Sequence, residues 1–288
     1  MPMEKKELKD LNIIDNFLFH EMITYGEKGE EFARLLLETI LNRKMGKISI
    51  ETEKIINGRG TGQHGIRMDV YVSSYEGEND EAKIYDIEPN LYRCKSEERR
   101  TRYYHALVDS KILKTGEDYD TLQDVIVIMI LPYDPFGLNR MVYTCKKVCM
   151  EEPDMPYEDG ARTIYLYTRG TEGNPRQELS DMLKYIEKSV SSNVRDEVTA
   201  KMAALAEEVK LQEKVGVSYM KMWECEKMWR EDGISQGEDK LSVLLTWLFE
   251  NGRDAEAKIA LSDRKVREDL YNEYEKAMNI EKKACYDS

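Results

Sequence analysis

The run "VIVIMIL", residues 125–131, is seven apolar residues without polar alternation. It is too short to cross a bilayer and reads as a buried β-strand. Such a strand needs paired neighbours and covered faces, which directs attention to what flanks it. Upstream, "IDNFLFHEMI" and "EEFARLLLETILNR" have helical spacing, with Phe32, Leu35, Leu36 and Ile40 on one face and Asp15 as a cap for the first helix. "KISIETEK" then reads as a strand, "IINGRGTGQHG" as a loop, and residues 66–90 as a hairpin. Residues 93–114 are helical, with Leu107, Ile112 and Leu113 apolar and Gly116 as the stop. After "PYDPFGLNR" turns the chain, "MVYTCKKV" and "RTIYLYT" supply more strands. Helix, strand, hairpin, helix, buried strand is the order of an α/β mixed sheet flanked by helices.

From about Asn174 the pattern is helical almost throughout, which divides the chain into a core (residues 1–173), a helical extension (174–232) and a small C-terminal helical region (233–288). "PRQELSDMLKYIEKS" is amphipathic through Leu179, Leu183 and Ile186. A long charged helix follows, whose Met220, Trp223, Met228 and Trp229 suit helix packing or a homodimer contact. "DGISQG" is expected to break it. Beyond, Asn251 and Gly252 mark a stop and Ser262 an N-cap.

The hairpin carries the chemistry. In "GIRMDVYV", Ile66, Met68, Val70 and Val72 alternate with Arg67, Asp69 and Tyr71. In "KIYDIEPN", Ile84, Asp86, Glu88 and Asn90 alternate with Tyr85, Ile87 and Pro89. A turn centred between Glu78 and Asn79 opposes Asp69 to Glu88 and Arg67 to Asn90, with opposed Cβ atoms roughly 5 Å apart. Two adjacent carboxylates repel and need a cation, and a hard divalent ion held through oxygens meets that need. The plainer reading pairs Arg67 with Glu88 on a solvated sheet face.

With 43 basic and 56 acidic residues the net charge is −13, which argues against general nucleic-acid binding. Residues 91–114 run the other way: Arg93, Lys95, Arg99, Arg100, Arg102, Lys111 and Lys114 against Glu97, Glu98 and Asp109 leave +4. This basic stretch directly follows the acidic hairpin. Five scattered cysteines give no disulfide framework and, with no secretory signal core in "MPMEKKELKDLNIID", point to reduced thiols in a cytoplasm. Three histidines exclude a His-rich metal site, and His64 sits in a Gly-rich loop without the Lys-Ser/Thr of a phosphate-binding loop.

The linked motifs "IRMDVYV", "YDIEPN", "RRTRYYHALVDSKILKTGEDYDTL" and "VIVIMILPYDPFG", with the opening "DNFLF", resemble the Rpn family of recombination-promoting nucleases, the PD-(D/E)XK nuclease family transposases. The resemblance implies a restriction-endonuclease-like core and metal-dependent hydrolysis of DNA phosphodiesters. Mg²⁺ or Mn²⁺ would be held by Asp69, Glu88 and the Pro89 carbonyl. Asn90 would stand at the water-orienting position, and Glu38 is a candidate further acid from the first helices. Arg99, Arg100 and Arg102, with Arg67 and Tyr103, would contact the DNA. The family's second strand ends in Gln where this chain has Asn90, one methylene shorter. Two readings follow: an active endonuclease, or an inactive relative that binds DNA or self-associates.

Overall fold

The structure is a computed structural model that describes residues 6–56, 66–76 and 81–286. His64 and the rest of "GRGTGQHG" lie outside the described residues, as do residues 77–80. The elements in order are α1 (Asn16–Ile23), α2 (Gly26–Leu41), β1 (Lys47–Ile56), β2 (Ile66–Glu76), β3 (Glu81–Pro89), α3 (Glu97–Ile112), β4 (Asp124–Leu131), β5 (Val142–Cys145), β6 (Ala161–Tyr167), α4 (Gln177–Glu187), α5 (Glu197–Lys210), α6 (Glu213–Glu250), α7 (Asp254–Ser262) and α8 (Arg264–Tyr286). The six strands form one mixed sheet in the order β1-β2-β3-β4-β6-β5. Antiparallel pairs join β1 to β2, β2 to β3 and β5 to β6; β4 runs parallel to both β3 and β6.

The apolar run is central, as its composition requires. Every residue of β4 after Asp124 is buried. Helix α3 is the crossover from β3 to β4, and Tyr104 and Val108 on it pack with Val125, Val127, Met129, Leu131 and Tyr165. The alternate residues Ile126, Ile128 and Ile130 are buried too, so both faces of the strand are covered. Helices α1 and α2 lie against β2 and β1. Their close approach depends on Gly29, where a Cβ would stand 2.0 Å from the Ile23 carbonyl oxygen.

The chain divides into two compact units, residues 1–219 and 220–288. Helices α4 and α5 of the expected helical extension belong to the first unit. Ile14 N–H donates to the Ile186 carbonyl at 3.0 Å, Ser189 Oγ accepts from Ile13, and Lys210 Nζ reaches the Leu11 carbonyl at 2.6 Å. Leu183, Ile186, Met202 and Val209 are fully buried. In the second unit Leu244, Leu248, Ala257, Ala260 and Leu270 form the core, and Trp247 meets Tyr274 edge-on at 5.6 Å.

Several local expectations are corrected. "DGISQG" does not break the chain: residues 232–237 are helical within α6, because Gly costs an exposed helix only about 1 kcal/mol and no Pro is present. The break comes earlier, at Leu211 and Gln212. Asp15 sits before α1, yet its carboxylate accepts from the Asn12 N–H rather than from the helix. Ser262 closes α7, and Asp263 caps α8 by accepting from Lys265 and Val266. Helix α3 ends at Ile112, and Gly116 serves the turn beyond it, at φ +93°. The stop at Gly252 holds, with φ +68°.

Candidate active site

The hairpin has the register expected of it. Val70 faces Ile87, Tyr71 faces Asp86 and Val72 faces Tyr85, which continues to Asp69 beside Glu88. Regular pairing stops at Val70, and the Asp69 N–H instead donates to Glu88 Oε1 at 2.8 Å. Pro89 explains part of this ending. Asn90 N–H donates to the Ile130 carbonyl on the β4 side, so the N–H that proline lacks would have pointed toward β2, where no ladder remains.

Glu88 is 2% exposed and Asp86 fully buried. Arg100, from the second turn of α3, lies 3.2 Å from Glu88 Oε2 and donates through Nε and Nη2 to the Tyr104 hydroxyl at 3.2 and 3.0 Å. Both Glu88 oxygens are therefore engaged. Burial pushes the Glu88 carboxyl up to about 8, with the Asp69 charge adding to it and the Asp69 N–H and Arg100 opposing. Burial first, then Glu88 and Asp69, hold Asp86 well above the ordinary aspartate range. The Asp86 and Glu88 carboxyls are close enough to shift one another, yet neither Asp86 oxygen meets hydrogen-bond geometry with any partner among the described residues. Burial also raises Tyr104, to about 12.

A second network lies beside the first. Asn90 Oδ1 accepts from the Tyr92 N–H at 3.2 Å and its Nδ2 donates to the Tyr133 hydroxyl at 3.3 Å. That hydroxyl donates to buried Glu97 at 2.6 Å, which also accepts from Cys94 N–H at 2.9 Å. Tyr133 thus ties the end of β3 to the start of α3.

The other sequence candidates scatter. Arg99, Arg102 and Tyr103 are exposed on α3, unlike Arg100. Arg67 lies in β2 opposite Ile55, and its side chain is outside the described residues. Glu38 on α2 bonds to Lys44 at 2.8 Å and to Met45 N–H at 3.0 Å, and is not hydrogen-bonded to the hairpin acids. Sequence reasoning passed over Asp86, Glu97, Tyr104 and Tyr133. Asp86 had a signal, because it shares the Glu88 face by strict alternation; Tyr133, forty-odd residues from Asn90, had none.

A divalent cation fits this donor chemistry in part. Two acids side by side, with a third buried behind them, offer the hard oxygen donors that a divalent cation takes. Among the described residues no three His, Cys, Asp or Glu side chains stand as a ready coordination cage, so the fit is to a site completed by water and substrate phosphate. Comparison of the chain with protein-family models, with curated proteins and with solved structures gave no match.

Proposed function

We propose that this chain is a divalent-metal-dependent DNA endonuclease of the Rpn, PD-(D/E)XK type. The observation that carries the reading is the convergence of Asp69, Asp86 and Glu88 at the end of the β2–β3 hairpin, with Arg100 of the crossover helix against Glu88. Asp69, Glu88 and the Pro89 carbonyl would hold Mg²⁺ or Mn²⁺, which when bound polarises the scissile phosphate and lowers the pKa of the attacking water. Asn90, anchored by Tyr92 and Tyr133, stands at the strand end from which an amide would orient that water. Exposed Arg99 and Arg102, with Tyr103 beside them, offer phosphate contacts on the same helix that brings Arg100 to the acids. The burial of Glu88 behind Arg100 keeps bulk water from its carboxylate.

One observation favours a second reading, a DNA-binding or self-associating protein without catalysis. Glu88 is already neutralised from within the chain, by the Asp69 N–H and Arg100. Exposed Met220, Met228 and Trp229 on α6 support self-association.

Nicking of supercoiled plasmid by purified protein with Mg²⁺ or Mn²⁺ separates the two. Cleavage lost in an Asp69→Ala, Glu88→Ala double variant supports the nuclease. Folded wild-type protein that binds DNA but never cuts it with either metal supports the second reading.

A further inference from the structure

Asn90 follows the last residue of β3, and its backbone N–H is fixed to the Ile130 carbonyl at 3.0 Å. An amide has two ends of nearly equal shape, one a donor and one an acceptor, so its neighbours decide which way it lies. The deciding neighbour is the hydroxyl of Tyr133, two residues past the end of β4. That oxygen meets Asn90 at 3.3 Å, the Tyr92 carbonyl at 3.1 Å and Glu97 Oε1 at 2.6 Å. The Tyr92 carbonyl can only accept. Glu97 Oε1, on a buried side chain in the first turn of α3, already accepts from the Cys94 N–H at 2.9 Å and accepts from Tyr133 as well. A hydroxyl has one proton, and both of these neighbours draw it away from Asn90. Toward Asn90 the Tyr133 oxygen can therefore only accept, which requires Nδ2 on that side. The Tyr92 N–H, a donor 3.2 Å away, requires Oδ1 on the other. Two separate constraints give the amide one orientation.

We propose that Tyr133, with its proton held by Glu97, is a positioning residue for the nuclease reaction: it fixes which end of the Asn90 amide meets the attacking water. The inference rests on the nuclease reading above. Hydrogen bonds to Tyr133 and Tyr92 leave the amide one further N–H and one further Oδ1 lone pair, both in set directions. Oδ1 can accept a hydrogen bond from the water and turn the water's own lone pair toward phosphorus; an amide turned over would offer that water a second donor instead. Tyr133 acts only through Asn90 and touches no reacting atom. Fixing the amide before substrate arrives removes a rotation that the reaction would otherwise have to freeze.

Tyr133→Phe keeps the ring and removes only the oxygen, so Nδ2 loses its acceptor. Two measurements on the full-length protein test the consequence, with melting curves to confirm that the variant is folded. In the first, exchange of the Asn90 side-chain amide protons is followed by nitrogen-15 NMR, the signal being identified by its absence from Asn90→Ala. The expected result is slower exchange in wild type than in Tyr133→Phe. In the second, plasmid nicking with Mg²⁺ or Mn²⁺ is set beside DNA-binding isotherms in EDTA. The maximal nicking rate of Tyr133→Phe should fall at least about tenfold, while its DNA affinity stays within about twofold of wild type. Loss of packing alone would lower the melting temperature without separating rate from affinity in this way. If wild type nicks DNA but the Asn90 amide exchanges equally fast in both proteins, or if Tyr133→Phe nicks at the wild-type rate, the inference alone is overturned. If folded wild type nicks DNA with neither metal, the nuclease reading fails and the inference falls with it, whatever the amide exchange shows.

Discussion

The backbone N–H of Asp69 donates to Glu88 Oε1 at 2.8 Å at the point where β2 and β3 cease to pair. A side chain has replaced a ladder bond, which fixes the second acid by the backbone of the first. Moving either strand by one residue would break this bond and turn the acids to opposite faces.

Burial and the Asp69 charge raise Glu88 from an ordinary 4.5 to about 8. The folded chain therefore keeps a proton that the unfolded chain has released. Between those values the folded state binds more protons, so stability falls as pH rises from about 4.5 to about 8 and levels above it. Asp86 is shifted in the same direction. Glu88→Gln should show a shallower decline than wild type across this window in EDTA, measured by melting temperature. Parallel wild-type and variant curves would rule out Glu88 as a source of the slope.

His105 works in the opposite sense and away from the acids. Its Nε2 lies 3.0 Å from Thr163 Oγ1, while Nδ1 is buried with no partner among the described residues. Burial first, then Lys147, push it down to about 4; Asp159 and the Arg162 backbone resist. The folded chain binds fewer protons than the unfolded chain between about 4 and 6.5, so this contribution is lost as pH falls through that range. The loss is on the order of 2 kcal/mol, allowing for the ring's partial exposure. His105→Gln should narrow the difference in urea midpoint between pH 7 and pH 4.5, and an unchanged difference would count against a buried neutral imidazole.

The hairpin register, the apolar central strand and the basic crossover helix were all legible in the sequence, because each is a local pattern with one physical solution. Asp69 and Glu88 came together for that reason. Asn90 to Tyr133, and Tyr133 to Glu97, were not legible: those bonds join the end of β3, the start of α3 and the loop after β4, and depend on how the crossover lies over the sheet. The helical boundaries failed similarly. "DGISQG" has breaker composition, yet nothing sterically forbids a helix through it, and Ser262 lost the cap to Asp263 because the chain turned one residue later.

Asn90 Oδ1 holds the Tyr92 N–H and its Nδ2 holds the Tyr133 hydroxyl. Asn90→Ala removes both bonds at a partly open site and should cost about 1 kcal/mol in denaturant unfolding. Asn90→Gln supplies the longer amide that the resemblance to the Rpn nucleases implies at this position. On the nuclease reading its extra methylene lets the amide reach past the Tyr133 bond, and plasmid nicking should rise above wild type. A fall instead would argue that the short side chain is fitted to this site.

The three neighbouring arginines of α3 should separate by function. Arg100 is half-buried, paired with a Glu88 that is 2% exposed, and bonded to Tyr104. Its removal leaves a buried carboxylate uncompensated, so Arg100→Met should destabilise by about 3 kcal/mol at pH 8.5, where Glu88 is charged. The penalty should shrink by pH 6, where Glu88 can hold its proton. Arg99 and Arg102 are exposed. Replacing both with Ala should move stability by less than about 0.5 kcal/mol each. On the DNA-binding proposal each loss should also lower the slope of log affinity against log salt by about 1. Denaturant titrations at the two pH values and a salt series of DNA-binding isotherms check both halves. An Arg99→Ala, Arg102→Ala variant that unfolds easily, or that keeps the full salt slope, would overturn this division between the arginine that holds the site and those that face the DNA.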